Sequence, residues 1–283
     1  MKGGQLIAAL AIILASTIAA PAQEKTPADL VLVQQGTLPI ILTAPHGGRE
    51  PVPGLAPRDI TNKPKGNDPL RYVVGADINT DVIVQGIARE IKQLTGEAPY
   101  MVMARFQRKF IDANRVPDVA YDDASAEPYY RYYHDTIRRF VDDVRERYPA
   151  GILIDVHGQS KMPGALIRGT HNGKTVTKLL ARAGVEALTG LTGLYGQLEA
   201  NGFVVFPANV VPLEGKSENA GFLGGFTLYR YGSNNPNGID AVLFEFGSDY
   251  RQKSELEITV KRAGKSIAVF YETHLRAPAG VAR

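Results

Sequence analysis

Two histidines and one glutamate stand at or near the ends of short apolar runs in this 283-residue chain. His46 and His157 each follow a largely apolar run and precede a glycine, and Glu245 lies within a third run. Runs of this length, bounded by Gly or Pro, are typical of buried strands. Open α/β sheets build their sites where the strands end, so these side chains are predicted to meet at one sheet edge. Because imidazole and carboxylate groups bind metal ions and move protons, we predict a metal-assisted hydrolase.

His46 and His157 are the strongest candidates for metal ligands. Zinc in hydrolases takes three protein ligands and leaves one position for water. The third ligand is open among Asp77, Glu50 and Asp81, in that order, although Asp77 also suits the N-cap of a predicted helix. The chain has no cysteine, which excludes thiolate ligands and disulfides. Zn²⁺ bound by His46, His157 and an acidic residue is therefore the prediction.

Glu245 is the candidate acid-base, because a carboxylate between Phe244 and Phe246 on a buried strand is costly unless it is paired or functional. Burial would raise its pKa toward the range useful for proton transfer from water to a leaving amine. The alternative is a structural salt bridge to an arginine. Asp155 precedes His157 by two residues and shares its side of the strand, so it can hold the imidazole tautomer.

The run 105–115 carries four cations beside a predicted strand end. Arginine makes two-point contacts with carboxylates. We therefore predict that Arg115, Asn114 and Arg108 bind the carboxylate of an amino-acid or peptide-like substrate. The alternative is a solvated basic face, with Asp112 as a counter-charge for Arg115.

Three other histidines have weaker claims to a role. His134 lies in a Tyr-rich segment and is predicted to be structural or at the edge of a pocket. His171 lies in a turn from which it can reach a substrate. His274 is predicted to face solvent.

Strands alternate with helices along the chain, which predicts an α/β fold. Apolar residues spaced by three and four from Ile78 indicate a helix that begins at Asp77 and ends at Gly96. Residues 50–68 and 215–238 are predicted to be loops. Further helices are expected over 128–148, 175–188 and 254–275, and strands over 30–42 (two, joined by a tight turn at Gly36), 100–104, 151–156, 165–167, 203–206 and 241–246. This alternation predicts a three-layer α/β/α sandwich with a mixed, mostly parallel central sheet.

Residues 1–22 differ in kind from the rest of the chain. Lys2, the apolar stretch 6–15 and the small-residue site Ala20-Pro21-Ala22 are typical of a secretory signal peptide. We therefore expect a periplasmic or secreted protein with one zinc hydrolase domain over 23–283 and no stable membrane anchor after cleavage; the alternative is an uncleaved anchor. The formal charge of +3 gives no reason to expect a nucleic-acid partner.

Taken together, the segments resemble the N-formylglutamate amidohydrolase family. The resemblance is carried, in the family's order, by Ala44-Pro45-His46-Gly47-Gly48, Asp77-Ile78-Asn79-Thr80, Asp112-Ala113-Asn114-Arg115, Asp155-Val156-His157-Gly158 and Phe244-Glu245. It implies a zinc-dependent fold related to carboxypeptidases and peptidoglycan amidases. It also implies a metal held by two histidines and an acidic residue, with Glu245 as acid-base and Arg115 on a substrate carboxylate.

The signal peptide departs from the cytoplasmic deformylases of that family. An exported relative is expected to cleave N-acyl amino acids, a γ-glutamyl polymer or a cell-wall peptide. A hypothesis from a different class is a non-catalytic binding protein of the envelope with a degenerate site.

Overall fold

A seven-stranded sheet forms the centre of the computed structural model, which describes residues 25–59, 61, 73–208, 218 and 221–276. The strands run in the spatial order β1-β3-β2-β4-β7-β5-β6. Their bounds are β1 Val31–Gln34, β2 Ile40–Ala44, β3 Tyr100–Ala104, β4 Ile152–Gln159, β5 Leu166–Gly169, β6 Val205–Phe206 and β7 Asp240–Gly247.

Four of the six strand pairings are parallel, and the antiparallel ones join β1 to β3 and β5 to β7. The central strands β3, β2, β4 and β7 are parallel to one another, so their carboxyl ends meet at one edge. The predicted mixed, mostly parallel sheet is confirmed.

Successive side chains of each central strand point to opposite faces of the sheet, so that each face carries its own apolar cluster. Helices cover both clusters. Helices α1, α4, α5, α6 and α8 pack on one face, and α2, α3 and α7 on the other. Their bounds are α1 Thr80–Thr95, α2 Pro117–Ala120, α3 Glu127–Arg147, α4 Thr177–Ala183, α5 Glu186–Thr189, α6 Leu194–Ala200, α7 Gly225–Tyr231 and α8 Leu256–His274. The predicted three-layer α/β/α sandwich is confirmed.

The predicted hairpin over 30–42 is wrong in its pairing. Both strands form, but β3 lies between them and hydrogen-bonds to each. The chain leaves β2, crosses over through α1 and returns as β3, as a βαβ unit requires. The turn at Gly36 therefore joins strands that do not pair with each other.

One helix prediction and one loop prediction also need correction. The helix predicted over 175–188 is divided into α4 and α5 at Gly184, whose φ of 68° is unsuited to a helix. The glycine-rich segment predicted to be a loop contains the short helix α7, which covers one face of the sheet.

The apolar face of α1 is narrower than its sequence pattern indicates. Ile83, Ile87 and Ile91 are fully buried, whereas Ile78 and Leu94 are 61% and 49% exposed. Those two lie outside or near the end of the helix, where the sheet no longer covers them. The predicted leader lies outside the described residues, as does most of 60–72. None of the described helices combines the length and apolar character needed to cross a bilayer.

Candidate metal centre and active site

The carboxyl edge of the central strands brings His46, Asp77 and His157 together. His46 lies two residues beyond β2, His157 lies within β4, and Asp77 precedes α1. All three are buried, and they form a group of potential metal ligands among the described residues. Glu50 instead forms ion pairs with Lys25 and Arg105, outside this group.

The third ligand candidate that joins the histidines is thus Asp77. Its Oδ2 accepts a hydrogen bond from the backbone N–H of Gly158, so its side chain contacts the end of β4. The N-cap of α1 is Asn79 and not Asp77. Asp81 is the second residue of α1, where it pairs with Arg49 at 3.6 Å.

The three donor atoms are spaced as a metal ion requires. His46 Nδ1 lies 3.2 Å from His157 Nδ1, and Asp77 Oδ2 lies 3.4 Å and 3.1 Å from these two nitrogens. Tetrahedral zinc with bonds of about 2.0–2.1 Å places its ligand atoms roughly 3.3–3.4 Å apart. The residues therefore fit a zinc ion without rearrangement of their side chains.

Each imidazole contacts a carboxylate through its Nε2, the nitrogen that is not part of the group of donor atoms. His46 Nε2 lies 2.7 Å from Asp112 Oδ1, and His157 Nε2 lies 2.9 Å from Asp155 Oδ2. Because an ionised carboxylate only accepts hydrogen bonds, each Nε2 carries the proton and each Nδ1 lone pair faces the centre of the group. Asp155 has the role predicted from its spacing, and Thr43 Oγ1 fixes it further with a 2.6 Å hydrogen bond. The sequence pattern around Asp112 does not indicate this role.

The charge of the site favours a cation. Burial alone would raise the pKa of Asp112, but His46 and Arg108 hold this pKa well below its usual value. Burial likewise lowers the pKa of His157, yet the neighbouring carboxylates of Asp155 and Asp77 raise it well above its ordinary value. The first shift reports the basic partners of Asp112, and the second reports the carboxylates that surround His157 in a buried space.

Glu245 is paired with His157 across β4 and β7 and lines the same cavity. Burial raises its pKa to about 8, although His157 acts in the opposite direction. Its Oε2 is buried and has no hydrogen-bond partner in the described part of the chain. A salt bridge would occupy such an oxygen, so the unpaired atom favours a functional carboxylate over the structural alternative.

The predicted substrate-binding residues lie in the cavity wall, in different settings. Arg108 is buried, with its Nε 2.9 Å from Asp112 Oδ2 and its Nη1 3.8 Å from Asp77 Oδ1. Its guanidinium therefore neutralises carboxylates of the centre. Arg115 is half-buried and donates from Nη1 to Asn114 O, and Asn114 Oδ1 accepts from Thr227 N. Contact of these residues with a substrate stays a prediction.

The cavity over the centre has a volume of about 450 Å³. Segments 158–161 and 221–225 line it, and so does His171. His134 is buried away from the cavity wall: its Nε2 donates to Ala113 O at 3.0 Å and its Nδ1 accepts from Tyr231 Oη at 2.9 Å. His134 is thus structural, as the sequence indicates, and it supports the segment next to Asp112.

No protein-family model and no curated protein sequence matches this chain. Solved structures do match it. The crystal structure of N-formylglutamate amidohydrolase from Ralstonia eutropha JMP134 superposes with a TM-score of 0.60 at 14% identity, over 87% of this chain and 98% of that one. A gene product from Agrobacterium tumefaciens superposes with a TM-score of 0.51 at 14% identity, over 87% and 94% of the respective chains. At these identities the likeness concerns the architecture, and we conclude that this chain has the fold of N-formylglutamate amidohydrolase.

Proposed function

We propose that this protein is a zinc-dependent hydrolase that cleaves a C–N amide bond of an N-acyl amino acid or a peptide-like compound. The observation that carries the proposal is the convergence of three zinc-compatible donor atoms and the unpaired Oε2 of Glu245 in one cavity. A metal ligand set beside a carboxylate of raised pKa is the combination that water-dependent amide cleavage needs.

In this mechanism the ion would be held by His46 Nδ1, His157 Nδ1 and Asp77 Oδ2. When bound, zinc supplies a Lewis acid that polarises a carbonyl oxygen and acidifies water. Glu245 accepts a proton from the attacking water at its carboxylate and then delivers it to the leaving nitrogen, so that the amine departs neutral. Asp112 keeps the proton of His46 on Nε2 throughout.

The substrate class follows from the cavity wall. Arg115 offers a guanidinium to a substrate carboxylate, and Asn114 lies beside it. N-formylglutamate, the compound in the name of one structural neighbour, has the required acyl amide and free carboxylates. An exported enzyme would meet cell-wall or γ-glutamyl peptides instead, which also combine an amide with a carboxylate.

The test is an amine-release assay. Purified protein, with zinc added or removed by a chelator, is given N-formyl and N-acetyl amino acids, γ-glutamyl peptides and cell-wall fragments. We expect zinc-dependent release from at least one class, and release about 10²- to 10⁴-fold slower from Glu245→Gln. A zinc-loaded protein that binds such compounds but releases no amine from any class would establish the binding-protein alternative.

We further propose that the protein is exported. The proposal rests on the basic start, the apolar stretch 6–15 and the small residues that end at Ala22. N-terminal sequencing of the protein from a periplasmic or culture fraction should begin at Gln23. Recovery of the intact chain from membranes alone would support the uncleaved anchor.

A further inference from the structure

One arginine outside the ligand set joins three backbone segments beneath the proposed centre. Arg251 lies in the 3₁₀ turn Asp249–Arg251, after β7. Its Nε donates to Phe246 O at 3.0 Å, its Nη1 to Ile78 O at 2.6 Å and its Nη2 to Gln159 O at 3.0 Å. All three guanidinium nitrogens thus have a carbonyl partner, and each partner belongs to a different segment.

Each of these carbonyls is close in sequence to a proposed functional residue. Ile78 directly follows Asp77, Gln159 lies two residues after His157, and Phe246 directly follows Glu245. A planar guanidinium presents its N–H groups in a fixed fork, so it sets the relative positions of the carbonyls it binds. The position of Asp77 relative to the two strands is therefore tied to this one side chain.

A second hydrogen bond joins the Arg251 turn to the segment before α1, and here the Arg251 backbone is the acceptor. Asn79 Nδ2 donates to Arg251 O at 2.8 Å, and Asn79 Oδ1 accepts from Arg49 Nη2 at 2.8 Å. Asn79 has a φ of 67°, a left-handed conformation that non-glycine residues rarely adopt. Asparagine adopts this conformation more readily than most residues, and the two side-chain contacts hold Asn79 in it.

Gly158 permits the close approach of Arg251. A Cβ at this position would lie 2.6 Å from Arg251 Nε, which is too short for a real contact. The backbone N–H of the same glycine donates to Asp77 Oδ2 at 3.1 Å. Gly158 therefore lets Arg251 and Asp77 both contact the end of β4.

We propose that Arg251 is a positioning residue of the metal centre, which holds the Asp77 segment against the ends of β4 and β7 at the spacing that zinc requires. The inference rests on the proposed function, because it explains how the spacing of the three proposed zinc ligands is maintained. A merely structural brace would change the stability of the fold and leave the intrinsic affinity for zinc unaltered.

The test compares zinc affinity with thermal stability in the full-length purified protein. Arg251→Lys retains the positive charge but replaces the planar guanidinium, which donates from three nitrogens, with a single ammonium. Competition against a chromophoric zinc chelator should show about 10- to 100-fold weaker zinc binding, the usual loss when an outer partner of a metal site is removed. The melting temperature is recorded in zinc-free buffer.

Arg168→Lys is the matched control. Arg168 likewise bridges backbone carbonyls, with Nε donating to Pro207 O and Nη2 to Ala208 O, but it is buried and lies on β5. This variant should lower the melting temperature and keep the zinc affinity of the unaltered protein. An equal loss of zinc affinity in both variants would overturn the proposal, because general loosening of the fold would then explain it.

Asn79→Gly, alone and combined with Arg251→Lys, tests the same link, and the single variant does so even if Arg251→Lys does not fold. Glycine keeps the left-handed backbone and removes the contact to Arg251 O. We expect weaker zinc binding, and in the double variant a combined loss smaller than the product of the single losses. Unchanged zinc affinity in the single variants that fold, or independent losses in the double variant, would overturn the inference alone. An unaltered protein that binds no zinc would overturn the proposed function as well.

Discussion

His157 and Glu245 occupy directly paired positions on the parallel strands β4 and β7. Neighbouring strands lie about 4.8 Å apart, so the sheet itself sets the separation of the two backbones. The proposed zinc ligand and the proposed acid-base therefore cannot move apart unless the strands do. Rigid elements hold reacting groups in position better than loops do, which is what proton transfer at a metal site requires.

Removal of both imidazoles should abolish zinc binding. The double variant His46→Ala, His157→Ala leaves Asp77 as the remaining member of the group, and one carboxylate is too few ligands for a hydrolase site. We expect one zinc ion per chain in the unaltered protein and none in this folded variant, measured by elemental analysis after dialysis. His274→Ala, remote from the group, serves as the control. Stoichiometric zinc in the double variant would disprove the site.

Glu245→Gln should separate zinc binding from catalysis. The amide keeps the shape of the side chain but cannot accept a proton, and acid-base catalysis typically contributes about 10²- to 10⁴-fold to the rate. We expect full zinc content, a melting temperature no lower than that of the unaltered protein, and turnover reduced by that factor. The stability expectation follows from the buried, unpaired Oε2. Near-normal turnover, or an unfolded variant, would instead indicate a structural carboxylate.

Arg115→Lys should affect substrates according to their charge. Lysine is a point charge and cannot reproduce a two-point contact with a carboxylate. Losing one charged hydrogen bond costs about 1.5–3 kcal/mol, or roughly ten- to a hundred-fold in kcat/KM. We expect a raised KM for a substrate with a free carboxylate and little change for its neutral amide.

Arg131→Lys, an exposed change on α3, controls for effects of the substitution itself. Equal losses on the charged and the neutral substrate would show that Arg115 supports the fold or the metal ligands and does not bind the carboxylate.

His134 should make the stability of the fold depend on pH. Burial lowers its pKa from 6.5 to about 3, so the folded chain keeps it neutral where the unfolded chain takes up a proton. Its contribution to the free energy of unfolding is therefore complete above about pH 6.5 and falls as the pH drops toward 3. The slope is about 1.4 kcal/mol per pH unit.

Urea unfolding at pH 7, 5.5 and 4.5 checks this prediction. His134→Gln does not titrate, so its deficit relative to the unaltered protein should shrink as the pH falls. A deficit that stays constant over this range would mean that His134 titrates equally in the folded and unfolded chains.

Sequence patterns were sufficient for the layers of the fold and for the choice of the two proposed histidine ligands, but they left the third ligand open among Asp77, Glu50 and Asp81. Apolar runs of strand length identified the central strands, and side chains that follow such runs must emerge at the sheet edge. The order of the strands was not predictable in the same way. Nothing local to the segments 31–34 and 40–44 indicates that β3 lies between them, because pairing depends on contacts with residues 100–104.

Long-range partners account for what the sequence missed in the site. Asp112 is 66 residues from His46, and its motif suggested only a counter-charge for Arg115. The sequence predicts that Arg108 binds a substrate carboxylate, whereas the fold places its guanidinium beside two buried carboxylates of the protein. Arg251 follows a strand in an irregular turn and belongs to no periodic pattern. Such roles depend on which loops meet in space, which hydrophobic spacing does not encode.

The cavity combines residues that stand on the sheet with residues that stand on loops, and this has a consequence for how related proteins diverge. The two proposed histidine ligands and the acid-base stand on strands or within two residues of one, whereas loop residues such as Lys161 and Phe222, whose cation and ring lie 5.4 Å apart, also line the cavity. Loops tolerate insertion and replacement far better than central strands. Descendants of one ancestor can therefore exchange the molecules they accept while inheriting the same reaction, and relatives of this chain should differ most at the rim and least beneath it.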